Sequence, residues 1–471
     1  MTISLRQPGV SGKFLARFYS AKSASPKRST SSGLIPPPKL NYEDLTHADQ
    51  AANAKSRNVT LPKQTFVALR RDLDAWKQTT RETDELRARQ SHIGEAVRMA
   101  VTPEDKENTV RKARVLRDSV HAHEREISRL EKSLLTYGLR IPNTSHPGVP
   151  LGPESNARVI STHGPAPVPA DPKRDHNELN DLPGMKFFDR DAGVISSGAG
   201  FAYLRGGGAL LELALIGYAM EVAVRRGFEP IITPDVGGLV LAGTSEIPLA
   251  AMHAQALYNP QTLPRRTVAV GHAFRAEAGA RGKDTRGLYR VHQFTKVELF
   301  SVTTGEATKR ADNLAEREIN VNKASDRELE YLRELQVELY AGLGIPFRVL
   351  DMPSEELGAS AHRKYDIEAW MPGRGAWGEI SSASNCTDYQ SRRLHIRHRH
   401  LSDDPSATGP LPYAHTLNGT AAAVPRLIVA LVENGVRFKE GRDIECLVLP
   451  SALRKHWVGG GRFGEVEIRW E

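Results

Sequence analysis

The stretch FRAEAGARGKDTRGLYRVHQFTKVE, residues 274–298, brings guanidinium groups, carboxylates and aromatic rings close together in the chain. Arg275 and Glu277 are two positions apart, so both side chains would lie on one face of a strand. The turn after them contains three glycines: Gly279, Gly282 and Gly287. On the returning strand, the same alternation places three side chains on one face: Phe294, Lys296 and Glu298. The spacing predicts a β-hairpin with charges of both signs on a common surface.

These residue types indicate which ligands such a hairpin could bind. A guanidinium binds phosphate through two parallel hydrogen bonds. An aromatic ring can stack on a purine, and a carboxylate can pair with an ammonium group. A nucleotide and an amino acid are therefore the predicted ligands. Two structural alternatives stay open, since Glu298 could belong to a purely structural ion pair and Phe294 could lie in the core.

Helix and strand signals alternate around the hairpin without βαβ regularity. An apolar helix is predicted over residues 210–226, followed by a strand over 228–233 that Pro234 ends. Strand signals dominate residues 267–303, and two further helices are predicted over residues 306–343 and 422–433. No glycine-rich phosphate loop follows a strand. The pattern predicts an α+β fold, an antiparallel sheet flanked by helices, and argues against a doubly wound nucleotide fold.

Two long helices precede this part of the chain. Residues 61–100 and 104–137 carry apolar residues at spacings of three and four, and Thr102-Pro103 interrupts the pattern between them. This predicts an antiparallel coiled-coil arm roughly 50 Å long. Many arginines and lysines occupy its outer faces, with acids expected to alternate among them: Asp72, Glu82, Glu85 and Glu126. The faces could be ordinary solvated surface or could bind nucleic acid.

Charge and composition set the cellular context. Residues 1–42 contain no acid and contribute seven of the eight net positive charges. Such a basic, serine-rich segment is typical of a mitochondrial presequence that ends before Pro36, although a disordered basic tail has the same composition. No stretch approaching the roughly 20 apolar residues of a membrane span is expected, so a protein without a membrane partner is predicted. Cys386 and Cys446 provide no disulfide framework and fit a reducing compartment.

Several segments together resemble the seryl-tRNA synthetases, which are class II aminoacyl-tRNA synthetases. Residues 274–298 look like class II motif 2, and HTLNGTAAAVPRLIVALVEN at 415–434 looks like motif 3. GFEPIITP at 227–234 fits motif 1, TSEIPLA at 244–250 resembles the serine-binding strand, and GEISSASNCTDYQSRR at 378–393 resembles the metal and ATP segment. The resemblance extends from about residue 40 to the C-terminus and implies a tRNA-binding arm at 41–141, a catalytic core at 142–471 and a homodimer that charges tRNA(Ser). Together with the basic composition of the N-terminus, which predicts a presequence at 1–40, it places the protein in the mitochondrial matrix.

The resemblance assigns roles to individual residues. ATP would contact Arg275, Ala276, Glu277, Phe294, Glu379, Ile380, Ser381, Ser382 and Arg426. Serine would be surrounded by Thr244, Ser245, Glu246, Arg275, Glu298, Asn418 and Thr420. Arg275, Glu277 and Arg426 would be catalytic, and Glu379 with Ser382 would hold Mg²⁺. Which carboxylate reads the ammonium group of serine, and which its hydroxyl, is left open.

One departure from the family pattern supports a competing interpretation. Only residues 235–243 separate Pro234 from Thr244, where the family has a few dozen residues. The shortening favours a synthetase-like paralogue that has lost catalysis and binds RNA. An amino acid:carrier-protein ligase is a third possibility, but such proteins lack a long N-terminal arm. A last cluster, His395, His398 and His400, could suggest a metal site, yet a basic segment near nucleotide or RNA is the favoured interpretation.

Overall fold

The computed structural model describes residues 27–28, 35–99, 102–237, 240–276, 287–305, 323–401, 409–440 and 443–471. The α-helices within these ranges are α1 (Tyr42–Leu45), α2 (Ala48–Ser56), α3 (Thr65–Met99), α4 (Pro103–Gly138), α5 (His176–Asp181), α6 (Arg190–Ser197), α7 (Gly207–Arg225), α8 (Glu246–Met252), α9 (Lys323–Ala341), α10 (Tyr389–Leu394), α11 (Val424–Gly435) and α12 (Ser451–Arg454). Residues 1–26 and 29–34, most of the predicted presequence, lie outside the described ranges, as do Glu277 and residues 306–322 of a predicted helix.

The β-strands in the described part of the chain are β1 (Lys27–Arg28), β2 (Arg158–His163), β3 (Phe188–Asp189), β4 (Tyr203–Leu204), β5 (Glu229–Ile232), β6 (Val236–Gly237), β7 (Val240–Leu241), β8 (Ala256–Tyr258), β9 (Arg265–Phe274), β10 (Gln293–Thr303), β11 (Phe347–Asp351), β12 (Arg363–Met371), β13 (Ala376–Asn385), β14 (Arg397–His398), β15 (His415–Ala423), β16 (Val436–Phe438), β17 (Ile444–Leu449), β18 (Arg462–Phe463) and β19 (Val466–Trp470).

An eight-stranded sheet in the order β2-β11-β12-β13-β15-β10-β9-β5 forms the centre of the fold. Every pairing in it is antiparallel except the last, because β5 joins the edge parallel to β9. The predicted α+β fold with an antiparallel sheet is therefore confirmed. A smaller sheet, β16-β17-β19-β18, follows at the C-terminus.

Three helices, α7, α9 and α11, pack on the large sheet and form one hydrophobic core with it. Helix α9 also supports the central strands through polar groups. Gln336 donates from its Nε2 to the backbone oxygens of Ser382 and Thr420, at 2.8 and 3.0 Å. The hydroxyl of Tyr340 donates to the backbone oxygen of Ala421 at 2.9 Å. These bonds join α9 to both β13 and β15 on one face of the sheet. They therefore hold the two strands in place for the side chains on the opposite face.

Helix α7 is long and apolar enough, by length and composition, to cross a membrane. The expectation that no stretch approaches such a composition is therefore wrong for this helix. Half of it is buried, with Leu211 and Ala214 fully enclosed in the core. The core helix of a soluble protein passes the same test, so this feature is weak evidence for a membrane span.

Helices α3 and α4 pack on each other as the predicted arm. Their apolar seam includes Leu69, Leu73, Val120, Leu130 and Leu134, all less than one-tenth exposed. Asp72, expected on an outer face, is instead 2% exposed, and its Oδ2 accepts a hydrogen bond of 2.6 Å from Ser133 Oγ. The reason is that Ser133 on the opposite helix supplies a hydroxyl that a buried carboxylate requires.

The arm is attached to the core by short polar links. Arg57 after α2 donates from Nη1 to the backbone oxygen of Asn143 at 2.7 Å. Asn143 in turn donates from Nδ2 to the backbone oxygen of Cys386 at 3.0 Å. The segment before α1 also reaches the core, since Lys39 N donates to the backbone oxygen of Arg392 at 3.0 Å. The junction therefore lies directly behind β13 and α10.

Candidate active site

The β9–β10 hairpin forms as predicted, with Ala273 paired to Phe294 and Gly271 paired to Lys296. Arg275 follows the end of β9, where its backbone N donates to the backbone oxygen of His292 at 2.9 Å. Its guanidinium carbon lies 5.3 Å from the centre of the Phe294 ring. The structure thus brings the predicted cation and aromatic ring together at the end of the two strands where Phe274 pairs with Gln293.

Two carboxylates lie close to each other, and one of them, Glu298, lies close to Arg275. We call this pair, with the side chains that contact it, the acidic pocket. Glu298 on β10 is 1% exposed and its Oε2 lies 2.8 Å from Lys296 Nζ. Glu246, in the first turn of α8, lies near enough for the charge of Glu298 to raise its pKa. Thr244 adds a side-chain hydrogen bond to Glu298. Among the predicted serine residues, the structure therefore groups Thr244, Glu246 and Glu298 at one place.

Strand β15 closes this pocket with side chains that alternate along it. Asn418 donates from Nδ2 to Glu246 Oε2 at 2.8 Å. Thr420, 3% exposed, is paired across the sheet with Glu298. Gln390 of α10, to which the sequence assigned no role, donates from Nε2 to Glu246 Oε1 at 2.6 Å. Its position in the segment 378–393 was the only signal that could have pointed to it.

Burial dominates the electrostatics of the two carboxylates. Loss of water raises the pKa of Glu298, and the positive charges of Lys296 and Arg275 offset this only in part. Burial also raises the pKa of Glu246, and the negative charge of Glu298 raises it further. Such a paired acidic pocket gains most from a ligand that brings a positive charge.

A cleft of about 210 Å³ extends from the two carboxylates along the hairpin. It is lined by Arg275, Phe294, Lys296, Glu379, Ile380, Ser381, Ser382, Thr420, Ala423 and Arg426. Arg426 at the start of α11 donates from Nη1 to the backbone oxygen of Glu379 at 2.8 Å. Its guanidinium carbon lies 4.9 Å from the centre of the Tyr289 ring. A cation–π surface of this kind suits a flat aromatic base beside a chain of phosphates.

Tyr289 was not predicted as a site residue, and a buried histidine positions it. Gly287 has φ +80°, and a Cβ there would lie 2.1 Å from His176 Nε2. The same Nε2 accepts a hydrogen bond from Leu288 N at 3.1 Å, while Nδ1 of His176 lies 3.1 Å from Glu433 Oε1. These contacts hold the backbone on the N-terminal side of Tyr289 against α11.

Glu379 and Ser382, which the resemblance assigns as metal ligands, both lie on the wall of the cleft. Burial raises the pKa of Glu379, but the charges of Arg426 and Lys364 outweigh it, so the pKa lies below its usual value. An anionic carboxylate and a hydroxyl are oxygen donors that fit Mg²⁺. Ile380 between them is fully buried, and Ser381 donates from Oγ to the backbone oxygen of Thr420 at 2.6 Å.

Two assigned residues, Ser245 and Ala276, are placed differently from their neighbours. Ser245 is 3% exposed and accepts from Thr233 Oγ1 at 3.3 Å, so its hydroxyl faces β5. Ala276 is exposed, and its methyl side chain cannot donate or accept a hydrogen bond. Glu277 lies outside the described residues. The segment TSEIPLA, expected as a strand, instead begins helix α8 at Glu246, because Leu, Ala and Met favour helix and Pro248 lies in its first turn.

The short connection between Pro234 and Thr244 contains a small hairpin, in which Val236 pairs with Leu241. Ala242 N donates to the backbone oxygen of Asp235 at 2.8 Å, and Phe274 N donates to that of Ala242 at 2.9 Å. The shortened segment therefore leads directly from β5 to α8 and the acidic pocket.

The histidines of residues 392–400 do not converge. His395 Nε2 lies 3.0 Å from the backbone oxygen of Pro37, and His398 Nε2 lies 2.9 Å from that of Gly305. His400 lies near Gly409 instead. Each ring has a different backbone partner, so the structure favours no metal site among these three residues.

Known proteins of similar sequence share one activity in their names. Residues 233–435 match the class II core domain of the tRNA synthetases for G, H, P, S and T. A serine–tRNA ligase of Rubrobacter xylanophilus is 36% identical over 427 residues, covering 85% of this chain and 93% of the relative. The mitochondrial serine–tRNA ligase of Mus musculus is 36% identical over 461 residues, covering 88% and 83%.

Solved structures give the same result. Seryl-tRNA synthetase from Pyrococcus horikoshii complexed with ATP superposes with a TM-score of 0.75 at 29% identity, covering 92% of this chain and all of that one. The cytoplasmic serine–tRNA ligase from Naegleria fowleri in complex with AMP gives 0.73 at 25% identity with the same coverage. The chain belongs to the seryl-tRNA synthetase (serine–tRNA ligase) family of class II aminoacyl-tRNA synthetases.

Proposed function

We propose that this ligase activates L-serine with ATP to seryl-adenylate and transfers the seryl group to the 3′ end of tRNA(Ser). The observation that carries the proposal is the junction of an acidic pocket with a cationic cleft at Arg275. Glu246 and Glu298 supply carboxyl groups for the serine ammonium group, whose positive charge favours their ionised forms, while Arg275 and Arg426 supply positive charge for phosphates. An amino acid and a nucleotide can thus meet within reach of one guanidinium.

The chemistry follows from positioning and charge. The serine carboxylate attacks the α-phosphorus of ATP, a new C–O–P linkage forms, and pyrophosphate leaves. Arg275 is proposed to hold both the serine carboxylate and the α-phosphate, because a planar guanidinium can donate to two oxygen acceptors at once. Its fixed charge stabilises the additional negative charge of the transition state, and no general base is required.

Glu379 and Ser382 are proposed to hold Mg²⁺. When bound, this ion would neutralise the phosphate oxygens of ATP. The low pKa of Glu379 supports the assignment, since an ionised carboxylate is available without a proton being displaced. Glu379→Gln should raise the Mg²⁺ concentration needed for half-maximal activity, while Glu440→Gln, on an exposed loop, should leave it unchanged.

The arm of α3 and α4 is proposed to bind the tRNA. Its outer faces carry arginines such as Arg81, Arg89 and Arg114, all exposed, which suit contacts to an RNA helix recognised through its phosphates and shape. The domain boundaries follow from this role: an arm over 41–141 and a catalytic core over 142–471.

Mitochondrial translation is the proposed setting. The acid-free basic composition of residues 1–42 and the mitochondrial serine–tRNA ligases of mouse and fission yeast support it. Removal of the presequence is proposed to occur upstream of Pro36, because Pro37 and Lys39 bond to the catalytic core. A fusion of residues 1–42 to a fluorescent reporter should enter mitochondria, and a reporter that stays cytosolic would exclude this targeting.

A homodimer is proposed through the edge of the large sheet. Strand β5 forms that edge, and its Ile232 is 92% exposed. Val240 and Leu241 of the neighbouring hairpin and Ile247 of α8 are exposed as well. An apolar patch of this kind is typical of an interface. Light scattering should give a dimer mass for the native chain and a smaller mass for Ile232→Glu.

The alternative, an RNA-binding paralogue without catalysis, is not favoured. Its only support is the shortened connection at 235–243, whereas Arg275, Glu379 and Arg426 are present in the lining of the cleft and Glu298 lies near Arg275. Charging of mitochondrial tRNA(Ser) with radiolabelled serine tests the two possibilities. The proposed ligase produces seryl-tRNA in proportion to enzyme, while a paralogue retains tRNA on a filter without charging it.

A further inference from the structure

Gln390 is the second residue of α10, and its side chain contacts Glu246 in the acidic pocket. Its Nε2 donates to Glu246 Oε1 at 2.6 Å, and its Oε1 accepts from Thr416 Oγ1 at 2.7 Å. Thr416 is fully buried on β15, two residues before Asn418. The three side chains of Thr416, Gln390 and Glu246 therefore form one continuous row of hydrogen bonds.

This row determines which end of the Gln390 amide faces Glu246. An ionised carboxylate can only accept, so in that state the amide presents its NH₂ group to Glu246. That orientation leaves the amide oxygen facing Thr416, whose hydroxyl can donate to it. If the amide were reversed, its oxygen would face a carboxylate oxygen at hydrogen-bond distance. The Thr416 hydroxyl consequently stabilises the one orientation that supports Glu246.

Asn418 is oriented in a similar way on the other side of the carboxylate. Its Nδ2 donates to Glu246 Oε2 at 2.8 Å, and its Oδ1 lies 3.8 Å from the Sγ of Cys386. Each oxygen of Glu246 thus accepts one hydrogen bond from a side-chain amide. Thr416 orients the amide of Gln390, and Cys386 lies beside the amide oxygen of Asn418. A carboxylate has about four acceptor positions, and these two amides use two of them.

We propose that Gln390 is a positioning residue for serine: held by Thr416, it fixes the Glu246 carboxylate in the orientation that reads the serine ammonium or hydroxyl group. The proposal rests on the proposed function and identifies a group that acts through Glu246 without touching serine. It separates the two ends of the site, because Gln390 has no contact with the cleft proposed for ATP.

Other charges around Glu246 make this support necessary. Glu298 repels it, while Lys296 attracts it but is already paired with Glu298. Without Gln390, Glu246 would lose a charge-assisted hydrogen bond and could turn toward Lys296. Serine binding should weaken, and ATP binding should not.

The test compares Gln390→Met, which keeps length but cannot donate, with the native chain in ATP–pyrophosphate exchange. We expect the KM for serine to rise at least tenfold, the loss typical of one hydrogen bond to a charged group. The KM for ATP should change less than twofold. Thr416→Val should raise the KM for serine in the same direction, and Thr416→Ser, which keeps the hydroxyl, should restore it. Arg393→Gln on the same helix serves as a control.

Binding measurements distinguish a failure of the role assigned to Gln390 from a failure of the proposed function. Calorimetry with 5′-O-(N-L-seryl)sulfamoyladenosine, a non-hydrolysable adenylate mimic, should show at least tenfold weaker binding to Gln390→Met. Binding of ATP should be unchanged. Equal changes for both ligands, or no change for either, would overturn the role of Gln390 alone. If the native chain binds neither the mimic nor serine, the proposed function itself fails.

Discussion

Arg426 binds two oxygens of a single residue: its Nη1 lies 2.8 Å from the backbone oxygen and 3.2 Å from the Oε2 of Glu379. The guanidinium is therefore held at the wall of the cleft by β13 before any nucleotide arrives. A preorganised cation needs little rearrangement when charge develops on phosphate. The pairing also keeps Glu379 ionised beside it.

Arg426→Ala should reduce kcat/KM for ATP in the exchange reaction by about 10²-fold or more, the usual cost of one preorganised donor. Arg437→Ala, on the exposed side of β16, should retain near-native activity. Steady-state kinetics at varied ATP measure the difference. Near-native kinetics for Arg426→Ala would remove this residue from the proposed site.

Serine should be preferred over alanine by at least 10³-fold in kcat/KM. The pocket contains Glu246, Asn418 and Thr420, and alanine would leave buried polar groups without the partner that the serine hydroxyl supplies. Exchange assays with each amino acid provide the ratio. Activation of alanine within tenfold of serine would contradict a pocket that reads the hydroxyl.

Stability should fall in mild acid because His415 is buried without charge. Burial lowers its pKa to about 4, and its Nδ1 lies 2.9 Å from Ser325 Oγ. The unfolded chain binds a proton near pH 6.5 that the folded chain does not. The contribution of His415 to the free energy of unfolding is thus fully present above pH 6.5 and is lost as the pH falls toward 4.

His415→Asn should make this loss less steep, by up to about 1.4 kcal/mol per pH unit between pH 6.5 and 4. Denaturant titrations at several pH values measure the slope. The control is His92→Asn, which changes an exposed histidine on the arm. Identical slopes for the native chain and His415→Asn would mean that this ring does not gain a proton on unfolding.

The arm can be shortened without disturbing its base. Asp72 pairs with Ser133, and Trp76 Nε1 lies 3.4 Å from Glu131 Oε1, so both contacts survive if residues 81–125 are replaced by a four-residue turn. The Arg87–Glu124 ion pair is removed with the distal part. We expect serine-dependent exchange to stay within twofold of native, because the removed part lies beyond the base that joins the core.

Aminoacylation by the shortened protein should fall at least 10²-fold through weaker tRNA binding, and tRNA binding by the native chain should weaken steeply with salt. Filter binding and charging assays measure both. Equal loss of exchange and aminoacylation would mean that the arm supports the core and would remove its proposed role in tRNA binding.

Local patterns explain which parts of this fold could be predicted. The β9–β10 hairpin follows from period-two alternation and its glycines, and the arm follows from apolar spacings of three and four. Contacts that join distant segments could not be predicted in this way. Gln390 and Glu246 are 144 positions apart and Asp72 and Ser133 are 61 apart, so nothing local indicates either pairing.

The candidate site also contains residues that the sequence could predict and residues that it could not. Residues inside the recognised motifs, such as Arg275 and Glu298, lie close enough together for the charge of Arg275 to lower the pKa of Glu298. Tyr289 was missed because its position depends on His176 at the start of α5, which is distant in sequence and accepts a hydrogen bond from the backbone N of Leu288. Helix α8 was missed because TSEIPLA resembles the serine-binding strand of the family, and a strand was therefore predicted. The helix propensity of this seven-residue element was given less weight.

The most direct measurement is ATP–pyrophosphate exchange by the purified native chain, with each amino acid in turn and with Arg275→Ala in parallel. We predict exchange that depends on serine, is absent with the other amino acids, and falls by at least 10²-fold in Arg275→Ala while the thermal unfolding of this variant stays near native. Exchange that is absent with serine, or that persists in Arg275→Ala, would overturn the proposed function.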